Sequence, residues 1–176
     1  NDTPTLDAIN DLTIDEDAAE QTVQLTGISA GPFESQLLRV IVSSSNTSLI
    51  PTPAVTYTSD DTTGTIRFTP LADQSGSSII TVVVEDAGLD GNFSTAGDNL
   101  SVTRTFTVTV NAVNDNPELD ALYDLTINED APEQTVSLSG ITAGGGESQP
   151  LRVTATSSNT ALIPAPSVIY TSANTT

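Results

Sequence analysis

Apolar and polar residues alternate with period two along most of this chain, and helical spacing is nowhere sustained. The clearest run is Ser101 to Val110. Val102, Phe106, Val108 and Val110 fall on one face, and Thr103, Thr105, Thr107 and Thr109 on the other. Arg104 interrupts the apolar face near its end, where a long side chain reaches water. β-Branched residues suit a pleated, half-buried surface, so the run predicts a strand. The same pattern predicts strands over Asp11–Ile14, Gln21–Thr26, Leu37–Ser43, Ala54–Thr58, Gly64–Thr69 and Ser78–Glu85. Turn residues stand between them: Gly27, Gly31-Pro32, Pro51 and Pro53, Asp60-Asp61, and Gly76. Seven short strands without an intervening helix predict an all-β fold, a seven-stranded antiparallel Greek-key β-sandwich.

The pattern then begins again. Asn1-Asp2-Thr3-Pro4 recurs as Asn114-Asp115-Asn116-Pro117, and Asp11-Leu12-Thr13-Ile14 as Asp124-Leu125-Thr126-Ile127. The register holds without a gap to Thr176 at about two identical positions in three, which marks a tandem array. Residues 1–113 are expected to form one complete module, and 114–176 the first four strands of a second. Substitutions between the copies separate the two faces. Val23 and Leu25 reappear as Val136 and Leu138 while Gln24 becomes Ser137, and Leu38 and Val40 reappear as Leu151 and Val153 while Ile41 becomes Thr154. The expected core is Leu12, Ile14, Val23, Leu25, Leu38, Val40, Val55, Tyr57, Ile66, Phe68, Ile80, Val82, Phe106 and Val108. Half a sandwich exposes its apolar face. The missing strands are expected from a longer array or, through strand complementation, from another copy of the chain.

Charge narrows the function. Asp and Glu number 23 against four arginines and no lysine, a net charge of −19. Such a chain lacks the basic patch that nucleic acid or an anionic membrane surface requires. No apolar run reaches membrane-spanning length, and no signal peptide opens the sequence. Without Cys, His or Lys, nucleophilic triads, Schiff bases and thiolate or imidazole metal sites are excluded. A carboxylate pair could still serve a glycosidase, but 4% aromatic residues and no Trp leave little to build a sugar-stacking cleft. The chain is therefore not expected to be an enzyme.

The acidic residues cluster in loops. In a seven-stranded sandwich alternate loops gather at opposite ends, so Glu16 and Asp73 are expected near the exit of the last strand, which leads into Asn114, Asp115 and Asn116. Hard oxygen donors in that number suit Ca²⁺. The other reading is a solvated acidic turn, with Asp and Asn bonding local backbone. A second cluster, Asp86, Asp90, Asp98 and Asn99, falls in the long loop before the last strand, at the Asn1 end. It reads equally as a cation site or as a flexible solvated loop.

Asn114-Asp115-Asn116-Pro117 followed by Ile127-Asn128-Glu129-Asp130-Ala131-Pro132 resembles the cadherin pattern of an NDN-P linker and a V-x-E-N-x-P strand. Asp86 before a glycine-containing loop resembles the aspartate late in cadherin repeats. The resemblance implies calcium held by Glu16, Asn114, Asp115 and Asn116 at the joint, by Glu129 at the next joint, and by Asp86 near Asn1. Ala112 stands where cadherin linkers carry a carboxylate, and Ser29-Ala30-Gly31 where they carry D-x-D, which implies fewer ions than the full cadherin set. Taken whole, the chain resembles bacterial cadherin-like or Ig-like tandem repeats of large secreted surface proteins. That resemblance implies an extracellular or cell-surface spacer or adhesion module, its joints stiffened by calcium and its partners neighbouring repeats. The alternative is a calcium-dependent carbohydrate-binding module with a glycan or cell-surface ligand.

Overall fold

The computed structural model describes residues 1–95 and 97–172 and divides into two compact units, Asn1–Val113 and Asn114–Thr176. Unit 1 carries seven strands: β1 (Leu12–Asp15), β2 (Gln21–Leu25), β3 (Leu38–Ser44), β4 (Ala54–Thr56), β5 (Gly64–Phe68), β6 (Gly76–Asp86) and β7 (Ser101–Asn111). Every strand lies within two residues of the range that alternation predicts. They form two sheets, ordered β1-β7-β6-β3 and β2-β5-β4. β4–β5 and β6–β7 are antiparallel neighbours within a sheet and every other consecutive pair changes sheet, which is the strand order of an immunoglobulin-type sandwich.

One ladder departs from the antiparallel expectation. β1 runs parallel to β7, with Leu12 opposite Val108 and Ile14 opposite Val110. The path of the chain explains it. Residues 5–7 first run antiparallel to the segment just after β2, where Thr5 N–H donates to the Ser29 carbonyl at 2.8 Å and Asp7 N–H to the Thr26 carbonyl at 3.0 Å. The chain then crosses to the other sheet without reversing and meets β7 in the same direction. A single segment therefore covers an edge of each sheet, where unpaired backbone would otherwise invite other chains.

The core lies between the sheets. Leu25, Leu38, Ile66, Phe68, Ile80, Val82, Phe106 and Val108 are buried, and Leu12, Ile14, Val23, Val40, Val55 and Tyr57 pack against them. Leu6, Ile28, Leu49 and Ile50 join them from outside the strands, where period-two alternation gives no signal. On β7, Phe106, Val108 and Val110 face inward as expected, while the exposed Arg104 donates from Nε to the Leu6 carbonyl at 3.0 Å.

Unit 2 differs from its sequence pattern. Where alternation predicts four strands, the described residues carry none, and the antiparallel bridge Glu118–Thr142 stands where unit 1 has Thr5–Ser29. The ladders of unit 1 supply the reason. β1 pairs with β7, β2 and β4 with β5, and β3 with β6, so no two of the first four strands pair with each other. A segment with those four alone has no ladder to form. Its local bonds persist: Asp120 N–H to the Ser139 carbonyl (3.0 Å), Ile163 N–H to the Asn159 carbonyl (2.9 Å) and Leu151 N–H to Ser172 Oγ (2.9 Å). Each matches a bond in unit 1, made by Asp7, Ile50 and Leu38. The apolar face is open: Leu6 is 2% exposed and its counterpart Leu119 49%, and Ile50 0% against 44% for Ile163.

The contrast yields a direct test. Ile50→Ala should lower unfolding stability by about 2–5 kcal/mol, as core truncations do. Ile163→Ala, at the same position of the repeat, should change it by no more than about 0.5 kcal/mol. The urea midpoints of the two variants measure the difference.

Candidate metal centre

Two acidic ends of unit 1 emerge from this arrangement. At the exit of β7, Glu16 follows directly on β1 and is held by the last strand. Its backbone N–H donates to the Asn111 carbonyl at 2.9 Å, and its Oε1 accepts the Val113 N–H at 2.7 Å. The side chain is consequently 5% exposed, a buried carboxylate spent on ordering the exit segment. Asp17 and Asp73 both occupy left-handed turn positions, with φ of 61° and 57°. Asp residues tolerate that conformation, because a short polar side chain can bond locally. Their carboxylate oxygens come within 4.8 Å of each other in exposed positions. The register places them there, since Gly76 at the start of β6 pairs with Val110 at the end of β7. Asp17 adjoins Glu16 but stands outside the expected ligand set.

The joint residues belong to unit 2. Asn114 and Asn116 are exposed, and Asn114 Nδ2 donates to the Asp115 carbonyl at 3.0 Å. Asp115 N–H donates to Glu147 Oε2 at 3.1 Å, and Gln149 Nε2 reaches the same oxygen at 3.0 Å. Glu129, the counterpart of Glu16, is exposed, since unit 2 has no last strand to hold it.

The opposite end of unit 1 is more enclosed. Asp86 closes β6 and is 0% exposed. Its Oδ1 accepts the Gly88 N–H at 2.8 Å, the Leu100 N–H at 3.1 Å and Asn1 Nδ2 at 3.3 Å. Its Oδ2 is buried with no hydrogen-bond partner. Burying a carboxylate costs several kcal/mol unless a cation or a full set of donors offsets it. The arginines near this end do not supply one: Arg39 pairs with Glu85 at 2.7 Å and lies 4.6 Å over the Phe93 ring. Two neutral oxygens nearby in the bonding network are also buried and unpaired, Asn99 Oδ1 and Gln36 Oε1. Their amide nitrogens are engaged, Asn99 Nδ2 with the Phe93 carbonyl at 3.3 Å and Gln36 Nε2 with Asn1 Oδ1 at 3.0 Å, so the oxygens are the free ends. A carboxylate oxygen and amide oxygens without donors are the kind of oxygens that a hard cation takes.

The other expected members are placed differently. Asp98 contributes its carbonyl, which accepts Asn1 Nδ2 at 2.6 Å, while its carboxylate accepts the Leu89 N–H at 2.8 Å and sits against Gly88. Gly88 has φ of +63°, and a Cβ there would run into that carboxylate. Asp90 is exposed and caps its own turn through the Asn92 N–H at 2.9 Å. Gln36 and Glu34 were not among the expected ligands. Their signal lay in the repeat, where Glu34-Ser35-Gln36 returns as Glu147-Ser148-Gln149 although the preceding Pro32-Phe33 becomes Gly145-Gly146.

Glu34 ties the start of the chain to this end. Its Oε2 accepts the Asp2 N–H at 2.7 Å, and its Oε1 lies 3.4 Å from the Asn1 ammonium. The Asp2 bond holds the Glu34 carboxyl below its ordinary value; burial opposes this, and the ammonium and the Gln36 amide add to the lowering. A lowered carboxyl contributes stability above its unfolded pKa and loses it as pH falls through the folded value. Glu34 should therefore titrate below 4.5 in side-chain carboxyl NMR, with Asp2 amide protection lost in the same acid range.

No protein-family model matches the chain, and no curated relative matches it in sequence. Solved structures do. S-layer protein SbsC domains 4 and 5 align with TM-score 0.40 and 16% identity over 61% of this chain and 53% of theirs. Mouse clustered PcdhgC3 EC1-3 aligns with TM-score 0.44 and 20% identity over 80% of this chain and 44% of that one. The tandem Ig repeats of Dlar align with TM-score 0.39 and 8% identity over 68% and 55%. The chain thus spans about half the length of these structures or less. Unit 1 is an all-β immunoglobulin-type sandwich with acid-lined ends. No helix among the described residues is long and apolar enough to cross a membrane.

Proposed function

We propose that the chain is a structural module of an extracellular or cell-surface repeat array, of the bacterial adhesin type, whose acidic ends are organised by calcium. The observation that carries this reading is Asp86, a fully buried carboxylate with one oxygen lacking any donor. Asp86 Oδ2, Asn99 Oδ1 and Gln36 Oε1 would hold the ion, with the Asn1-Asp2 segment tied beside them by Glu34. Bound there, calcium supplies charge neutralisation and fixes the entry of the chain; it performs no chemistry. Asp17 and Asp73 present further carboxylates at the exit of β7, beside the buried Glu16. Extracellular calcium modules bind at roughly 10⁻⁴–10⁻³ M, so such a device suits a millimolar-calcium exterior.

The acid-rich composition and the tandem repeat support the same reading, as does the fold that the chain shares with surface-layer and protocadherin domains.

The test is thermal unfolding of the chain with and without calcium. At 10 mM calcium, some ten to a hundred times the proposed dissociation constant, stabilisation should be about 1.4–2.7 kcal/mol, seen as a rise of several degrees in Tm. Asp86→Asn keeps an acceptor for Gly88 and Leu100 but removes the charge, so it should abolish the calcium response while leaving the calcium-free protein at least as stable. Magnesium should substitute poorly, given its preference for small octahedral sites. A calcium response unchanged by Asp86→Asn would defeat this assignment. For the joint, small-angle scattering with and without chelator should give different profiles.

A further inference from the structure

We propose that Asn92, in the loop between β6 and β7, is the acceptor for one N-linked oligosaccharide. The sequence Asn-x-Ser/Thr, with any residue but Pro in the middle, occurs at Asn1, Asn46, Asn92, Asn99 and Asn174. In an exported chain such a site is used where a surface loop presents the asparagine amide. Asn174 lies outside the described residues, and the structure separates the other four. Asn1 Nδ2 is committed to Asp86 Oδ1 at 3.3 Å and to the Asp98 carbonyl at 2.6 Å. Asn99 Nδ2 donates to the Phe93 carbonyl at 3.3 Å, and its Oδ1 is buried. Asn46 is exposed, but its carbonyl accepts the Leu49 and Ile50 N–H groups at 3.2 and 2.9 Å, and both side chains belong to the core. That turn is closed onto the core and cannot be drawn out into an enzyme groove.

Asn92 differs on each count. It is exposed, as are Asp90, Gly91, Ser94 and Thr95 around it. Its Oδ1 accepts the Ser94 N–H at 3.0 Å, which fixes the plane of the amide within the acceptor tripeptide. Among the described residues no hydrogen bond holds its Nδ2, so the nitrogen is left to solvent. Phe93, the middle residue, is half-buried with the Arg39 guanidinium 4.6 Å from its ring centre, and ties the loop to β3. Asp90 Oδ1 accepts the Asn92 N–H at 2.9 Å and places a carboxylate two residues before the acceptor. Asn46, Asn99 and Asn174 have Ser44, Gly97 and Ser172 at that position. Asn92 therefore also suits transferases that require an acidic residue there. The donor is an oligosaccharide carried on a polyprenyl diphosphate. Nδ2 attacks the anomeric carbon, and the C–N bond forms as the bond from that carbon to the phosphate oxygen breaks. Polyprenyl diphosphate leaves with the electron pair, and Nδ2 gives up one proton to solvent. The product is a bulky, hydrated group on the loop. This step needs an exported chain but no bound cation, so it stands apart from the calcium reading.

The test is made on the folded full chain. It is incubated with an oligosaccharyltransferase of the acid-requiring kind and a polyprenyl-diphosphate-linked oligosaccharide. Intact mass should rise by one oligosaccharide per chain, and peptide mapping should place it on Asn92. Asn92→Gln and Ser94→Ala should each abolish the addition, while Ser94→Thr, which keeps the hydroxyl, should retain it. Asp90→Ala should abolish it with this enzyme, and Asp90→Glu should not. Asn92→Gln should leave Tm and the calcium response unchanged, so a failure here and a failure of the calcium site are read separately. No addition to the folded chain while a control acceptor peptide is modified would overturn the proposal. So would an oligosaccharide mapped to Asn1, Asn46 or Asn99 in place of Asn92.

Discussion

The first four strands of this module hydrogen-bond only to the last three. β1 lies on β7, β2 and β4 on β5, and β3 on β6, so the halves of the repeat are complementary rather than separately foldable. Everything else in the structure follows from that division. Unit 1 holds both halves and has a closed core with Leu25, Ile66, Ile80 and Val108 between its sheets. Unit 2 holds the first half and keeps the bonds that join near neighbours in sequence, while its apolar residues stay exposed. The same residues, Leu6 and Leu119 for instance, are core or surface according to whether a partner strand exists.

Charge is arranged around this core rather than within it, with two buried carboxylates, Glu16 and Asp86, as exceptions. Many carboxylates lie in turns, and some accept a local backbone N–H there, as Asp90 does from Asn92. Asp86 instead ends a central strand, and its position between Val84 and Ala87 carries it out of water. Its burial is costly on its own, and the oxygens of Asn99 and Gln36 left without donors add to that cost. These unsatisfied acceptors lie at the Asn1 end of the sandwich, where Asn1 bonds both Asp86 and Gln36. At the opposite end the buried Glu16 is already bonded to Val113.

The strands and their inward faces could be read from the sequence because alternation is a local property, and because the second copy tested each face by substitution. Of the core residues beyond the expected set, Val84 and Val110 extend the alternation of β6 and β7, whereas Leu6, Ile28, Leu49 and Ile50 sit in loops and owe their burial to chain path. Pairing was less legible. The parallel β1–β7 ladder depends on the crossing after Asp7, which leaves no periodic trace. The expected strands of 114–176 failed for the same reason, since alternation reports which face would be buried and not whether a partner is present. Glu16 and Asp86 stand out in the sequence by likeness of motif and loop position. Gln36 was legible only as an unchanged triplet inside a changed loop. Asp98 was correctly placed at that end, but its carboxylate is committed to Leu89, a distinction that depends on loop conformation.

The parallel course of β1 and β7 also decides how unit 1 carries load. Tension applied through the two chain termini would pull β1 and β7 in opposite directions along their shared axis. The four register positions from Leu12–Val108 to Asp15–Asn111 would be strained together, as in a lap joint, rather than peeled one after another. A seam loaded in shear resists until all its bonds yield at once, which makes the crossing strand a mechanical clasp for a domain threaded on a string.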